Sequence, residues 1–156
     1  MADELPDDFV AGIHAAARAE KPSAVVIGEV WEDGSNKIAY SRRRRYLLGR
    51  ETHGLMNYPR RSAVLYYVRG GDAASFRDAM EEQRENYPPA AFYGGLNILG
   101  THDTPRILTA LVDDFDGSRE EKAKRHLSRN QLTVAVERLQ MASLLQYTLP
   151  GSPSLY

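Results

Sequence analysis

The sequence predicts an α/β fold, a parallel sheet whose strands are joined by crossover helices. Three observations carry this. Short apolar runs recur at 24–27 and 96–99, the first without polar alternation, the pattern of a strand covered on both faces. Segments with apolar residues spaced by three and four lie on either side of them. The order is helix, strand, connection, strand, helix, strand, helix, strand start, which is how crossover-linked parallel strands read. At 156 residues, 42% hydrophobic and 26% charged, the chain fits one globular domain, 1–156.

Residues 6–20 read as an amphipathic helix. Pro6 suits its first position, Asp7 and Asp8 favour its positive N-terminus, and Phe9, Ile13, Ala16 and Ala17 share one face. Lys21-Pro22 stops it, and 24–27 follows as a buried strand. Residues 32–54 are polar, carry Gly34, Gly49 and Gly54, and read as a long irregular excursion. Residues 55–58, before Pro59, form a short strand. The apolar run 63–68 fits helix or strand by period alone. Phe76, Ala79, Met80 and Gln83 make 75–86 helical, and Tyr87-Pro88-Pro89 ends that segment. Residues 96–99 are the next strand. Ser118 and Glu121 have capping-box spacing and open a long helix to about 146, with Leu132, Val136, Leu139, Ala142 and Leu145 on one side. Pro150-Gly151-Ser152-Pro153 is a turn, and 154–156 begins another strand.

Composition narrows the function classes. A net charge of −1 gives no field to draw in nucleic acid or a membrane surface. The run Arg42-Arg43-Arg44-Arg45, with Arg50, Arg60 and Arg61, reads as a solvated loop. With no cysteine, disulfides and thiolate metal sites are excluded. No segment approaches the roughly 20 apolar residues of a membrane span. The acidic start lacks the apolar stretch of a secretory signal, so a cytoplasmic location is expected. His14 and His126 read as structural or exposed, and His53 stands where it could reach a cleft before Met56. No residue cluster has metal-ligand spacing.

The chemistry is expected at two strand ends. Glu29 closes the first strand, in Gly28-Glu29-Val30-Trp31. His102 and Asp103 follow the strand at 96–99. Carboxylates at the C-terminal ends of strands in an alternating β/α chain suggest a catalytic centre. Breaking a glycosidic bond takes two carboxyl groups, one protonated and one ionised. An apolar, aromatic setting such as Val30 and Trp31 favours a protonated acid, and Gly28 leaves room for a ligand. Trp31 offers a stacking face for a sugar ring. Asp103 beside His102 suits the binding of sugar hydroxyls and the stabilisation of a positively charged transition state. Taken alone, Glu29 equally fits a solvated or ion-paired residue, and His102-Asp103 a turn that opens a connection.

These residues resemble the α-amylase family, glycoside hydrolase family 13, most of all its cyclomaltodextrinase, neopullulanase and maltogenic amylase branch. Gly-Glu-Val-Trp at 28–31 is similar to the segment ending the fifth barrel strand. Met-Asn-Tyr-Pro at 56–59 is similar to one at the sixth, and Leu-Gly-Thr-His-Asp-Thr-Pro-Arg at 99–106 to the seventh. Leu-Pro-Gly-Ser-Pro-Ser-Leu-Tyr at 149–156 is similar to the approach to the eighth. The resemblance implies a partial (β/α)8 TIM barrel, roughly strands 5 to 8 with their helices. It implies Glu29 as acid/base and Asp103 as transition-state stabiliser. His102 would bond sugar hydroxyls, Trp31 would line the cleft, and Asn57 and Arg106 would support it. The implied substrate is an α-glucan oligosaccharide. No cofactor is implied; calcium occurs in many members, but these residues present no site for it.

One departure is large. The family nucleophile is an Asp in a segment like Arg-Leu-Asp-Val-Ala-Asp-Glu after the fourth strand. This sequence opens Met1-Ala2-Asp3-Glu4-Leu5, so Asp3 matches the later acid of that segment. The expectation is a catalytic-barrel fragment without the nucleophile, inactive alone although its lineage is enzymatic. Two other readings stand beside it: an α/β piece that binds oligosaccharide weakly, and a scaffold that self-associates through open barrel edges.

Overall fold

The computed structural model describes residues 2–113 and 117–156; Met1 lies outside the described residues. A 3-10 turn, Ala2–Glu4, leads into α1, Asp7–Glu20. Pro6 is the N-cap rather than the first helical residue, and the Lys21 N–H closes the helix on the Ala17 carbonyl. The buried side of α1 is not the expected one. Val10 is its buried residue, whereas Phe9 is 59% and Ile13 43% exposed. Helical period locates an apolar stripe but does not say which stripe meets a partner. Here the inward positions match a polar partner: Asp7 binds Arg44, and His14 Nδ1 donates to the Glu51 carbonyl.

The strands are shorter than the apolar runs that announce them. β1 is Ile27–Gly28, and Val25 in the preceding run is 66% exposed, so that run is not covered on both sides. The excursion after Trp31 contains a hairpin, β2 Ile38–Ala39 and β3 Arg42–Arg43, paired antiparallel. Its two-residue turn holds Tyr40 at φ 52° and Ser41 at φ 59°, left-handed values usually left to Gly or Asn. Tyr40 is held by its hydroxyl, which donates to the Glu4 carbonyl, and by the Arg44 guanidinium over its ring. The arginine run is not wholly solvated. Arg44 is 4% exposed, since it bonds Asp7 and the Asp3 and Leu5 carbonyls and lies over the Tyr46 ring.

β4, Gly54–Leu55, pairs in parallel with β1. A Cβ on Gly54 would stand 2.2 Å from the Gly94 carbonyl oxygen, so only glycine permits that approach. α2, Tyr58–Val68, decides the open case at 63–68 in favour of helix. α3, Ala73–Asn86, buries the expected Phe76, Ala79, Met80 and Gln83 side, and Asp72 caps it by accepting from the Ser75 N–H. The Tyr-Pro-Pro stop holds, but a further short helix, α4 Pro89–Gly94, follows at once. β5, Leu96–Ile98, fulfils the expected strand.

α5, Ile107–Ala110, comes next. The single long helix expected from Ser118 is two helices. α6, Arg119–Lys124, carries the Ser118–Glu121 capping box. A second box, Ser128 with Gln131, starts α7, Arg129–Thr148. The buried side of α7 runs through Ala135, Ala142 and Gln146; of the expected face, Leu139, Ala142 and Leu145 meet the core, while Leu132 and Val136 are exposed. Gln146 faces inward because its amide bonds the Asn97 and Ser154 carbonyls. β6, Ser152–Ser154, pairs in parallel with β5 and starts two residues before the expected strand.

Met56 bridges Leu96 in parallel, so the four strands lie side by side in the order β1, β4, β5, β6. Helices connect β4 to β5 and β5 to β6, while the β2–β3 excursion takes the helix's place between β1 and β4; this is the expected partial (β/α)8 barrel, and the described strands do not close. Two cores flank the sheet. Val30, Tyr46, Leu47, Leu55, Tyr87, Ala91 and Phe92 pack around β1 and β4. Val64, Leu65, Val68, Leu99, Leu111 and Ala142 pack between α2, α7 and β5. Between them Arg60 is buried. Nη1 donates to Asn97 Oδ1 and to the Pro150 carbonyl, the guanidinium lies over Phe92, and burial lowers its pKa to about 10.

Candidate functional site

Glu29 follows β1 directly, and Asp103 lies five residues beyond β5. Because β1, β4 and β5 are parallel neighbours, both carboxylates leave the same, C-terminal edge of the sheet. The residue that joins them is Tyr58, the first residue of α2 at the end of the intervening strand. Its hydroxyl donates to Glu29 Oε1 at 3.3 Å and lies 3.4 Å from Thr101 Oγ1. Thr101 Oγ1 in turn accepts from the Asp103 N–H at 3.3 Å. With its one proton given to Glu29, Tyr58 accepts from Thr101, so the donors run in one direction from Asp103 towards Glu29. Burial raises the Tyr58 phenol above its ordinary pKa, and the nearby Glu29 and Asp103 carboxylates add to this. It therefore stays a neutral donor.

Trp31 stacks on Tyr58, with ring centroids 4.0 Å apart and planes 15° from parallel. Its 37% exposure leaves the opposite face open to a ligand. Gly28 makes room for the protein rather than for a ligand, because a Cβ there would meet Leu55 at 2.8 Å and Thr52 at 3.0 Å. His102 is exposed, its Nε2 3.2 Å from Asp103 Oδ2, and its ring lies 6.4 Å from that of Tyr156. Thr104 holds this turn through its hydroxyl, which accepts from the Thr101 N–H and donates to the Thr101 carbonyl.

The structure turns Asn57 away from the two carboxylates and leaves Arg106 on the Asp103 side. Asn57 is buried as the N-cap of α2, accepts from the Arg60 N–H, and exchanges amide bonds with Gln83. It fixes the helix start that presents Tyr58. Arg106 is exposed at the N-cap of α5 and shares an open groove with His102 and Asp103. His53 does not reach the site. Its ring stacks on His14, and its Nδ1 accepts from the Val26 N–H. Asp3 is engaged elsewhere, accepting from the Tyr46 hydroxyl at 2.6 Å and pairing with Lys37 at 3.4 Å. Among the described residues no three metal-ligating side chains cluster, and no helix is long and apolar enough to cross a membrane.

Tyr58 and Thr101 are the neighbours of the two candidate acids that the sequence alone did not single out. Both lie inside segments already singled out, and the signal available was position: each stands at a strand end beside a named acid or aromatic.

No family model matches the chain. It is 32% identical to an amylopullulanase of Thermoanaerobacter thermohydrosulfuricus, an alignment covering all of this chain and 10% of that protein. It is 28% identical to a cyclomaltodextrinase of Geobacillus thermopakistaniensis, again over its whole length and 22% of the relative. The chain thus spans a quarter or less of these relatives. In three dimensions it is similar to the cyclic α-maltosyl-(1→6)-maltose hydrolase of Arthrobacter globiformis, with a TM-score of 0.73 and 23% identity, over 97% of this chain and 28% of that one.

Proposed function

We propose that this chain, which belongs to the α-amylase family, glycoside hydrolase family 13, supplies two catalytic carboxylates of a retaining α-glucan hydrolase, Glu29 as acid/base and Asp103 as transition-state stabiliser. The observation that carries this is the convergence of both strand ends on Tyr58, where hydrogen bonds connect Asp103 through Thr101 to Glu29. Glu29 gives its proton to the leaving glycosidic oxygen. Asp103 offsets the positive charge that develops on the sugar ring, and the adjacent His102 bonds its hydroxyls. Trp31, open on one face, stacks a neighbouring glucosyl unit. Asn57 supports this arrangement from beneath by fixing the start of α2, and Arg106 stands at the rim. Tyr58 is a positioning residue, since its hydroxyl aims the Glu29 carboxyl.

The substrate class is the α-glucosidic bond of starch-like oligosaccharides or cyclodextrins. The relatives' names support it, as does a maltose complex of the structurally similar hydrolase. A retaining mechanism also takes a nucleophile. Asp3 and Glu4 match the later acids of the family's nucleophile segment, and Asp3 is committed to Tyr46 and Lys37. These 156 residues by themselves are therefore expected to bind maltooligosaccharide and to hydrolyse it at most marginally; turnover near that of an intact relative overturns this. In a longer active enzyme containing these residues, Glu29→Gln is expected to lower kcat by about 10²–10⁴-fold with little change in substrate affinity. An unchanged kcat removes Glu29 from the acid role.

A further inference from the structure

A broad groove of about 1670 Å³ starts at His102, Asp103 and Arg106 and runs along the outer side of α2 to Tyr66. That volume exceeds the roughly 300–1,000 Å³ of a closed small-molecule pocket and suits an extended ligand. Tyr66 lies eight residues beyond Tyr58 on the same helix, about 12 Å along its axis. The ring is 49% exposed, yet it is fixed in place. Its hydroxyl donates to Asp72 Oδ2 at 2.9 Å, and Asp72 is itself held by the Ser75 N–H and hydroxyl. Gly71 leaves the space the ring occupies; a Cβ there would stand 2.3 Å from the ring. Gly70, at φ 105°, turns the chain back so that Gly71 can lie against it.

A half-exposed aromatic locked by its neighbours loses little freedom when a flat ligand stacks on it. We infer that Tyr66 is an accessory glucan-binding platform, which stacks a glucosyl unit of an α-glucan whose other units occupy the Asp103 end of the same groove. This rests on the reading of Asp103, His102 and Trp31 as a glucan site. Stacking on Tyr66 is what selects a sugar here; five cations among the described residues also line the groove, and two of them have partners of their own. Arg61 is already spent on the Leu99 carbonyl, at 2.8 Å, and Arg125 on Asp113. Ser62, one helical turn before Tyr66, lines the groove with a hydroxyl suited to a sugar's own hydroxyls.

The test is calorimetric titration of the full chain with maltotriose and maltoheptaose. Tyr66→Ala is expected to weaken maltoheptaose about three- to tenfold, the strength of one aromatic contact, and to leave maltotriose unchanged. Tyr66→Phe, which keeps the stacking face, is expected to retain most of the maltoheptaose affinity, and it serves as the control should the alanine variant fold poorly. Trp31→Ala is expected to weaken both sugars. If Tyr66→Ala leaves maltoheptaose unaffected while Trp31→Ala weakens both, the platform is overturned and the glucan site stands. If neither sugar binds the unaltered chain, the glucan site falls and the platform with it.

Discussion

The two halves of the sheet are held by different forces. Around β5 and β6 an apolar core of Val64, Leu65, Leu99, Leu111 and Ala142 lies beside a buried polar set, Arg60 and Gln146 bonded to Asn97, that contains no carboxylate. Around β1 and β4, apolar residues share the interior with charge. Arg44 is buried against Asp7 at 2.5 Å, and Tyr46 is buried while donating to Asp3. Glu51 is 1% exposed, its carboxyl pushed upward by burial. The contrast shows that the strand carrying Glu29 is seated by paired charges from segments far apart in the chain, whereas the strand leading to Asp103 is seated by side-chain volume and by neutral partners around one guanidinium.

The strongest way to break the comparison is Arg44→Ala. Removing the buried partner leaves Asp7 with the half-exposed Arg45 alone and takes the guanidinium from three backbone carbonyls, so unfolding free energy is expected to fall by about 3–5 kcal/mol. Lysine is not expected to restore it, because it lacks the planar fork. A loss below about 1 kcal/mol in urea titration would show that this half does not depend on its charges. Leu111→Ala strikes the other half, where the side chain is fully buried. It is expected to cost about 2–4 kcal/mol, with no dependence on salt; a salt-dependent loss would erase the distinction.

The smallest effect is one of pH. The Asp72 carboxyl is held down at about 2, below its ordinary 3.8, by the Ser75 N–H, the Ser75 hydroxyl and the Tyr66 hydroxyl. The folded state therefore binds this proton less readily than the unfolded one. Its contribution is present above about pH 4 and is lost as the pH falls towards 2. The stability difference between the protein and Asp72→Ala should shrink across that window. A difference that is flat with pH would show that the cap does not act through the ionised form.

Much of this fold was legible. The strand at 96–99, the helix at 75–86 with its Phe76 to Gln83 side, and the stop at Tyr87 rest on local patterns that the tertiary structure leaves intact. The Ser128–Gln131 capping box that begins α7 was equally local, but the longer apolar periodicity running through it concealed the break. The buried face of α1 was not legible, and that of α7 was legible only in its second half, at Leu139, Ala142 and Leu145. Their inward positions include Asp7, His14 and Gln146, polar residues that each bond a partner distant in sequence.

The same division holds at the candidate site. The sequence by itself determined which acids stand at strand ends, Glu29 and Asp103, and which family they belong with, because short motifs keep their chemistry wherever the chain places them. Only the tertiary structure decided that Tyr58 and Thr101 connect those acids, and that Asn57 turns inward to Gln83. It also decided that Gly28 accommodates Leu55 and Thr52. The physical reason is that hydrogen-bond direction and the filling of space depend on neighbours separated by tens of residues, and local pattern does not encode where those neighbours meet.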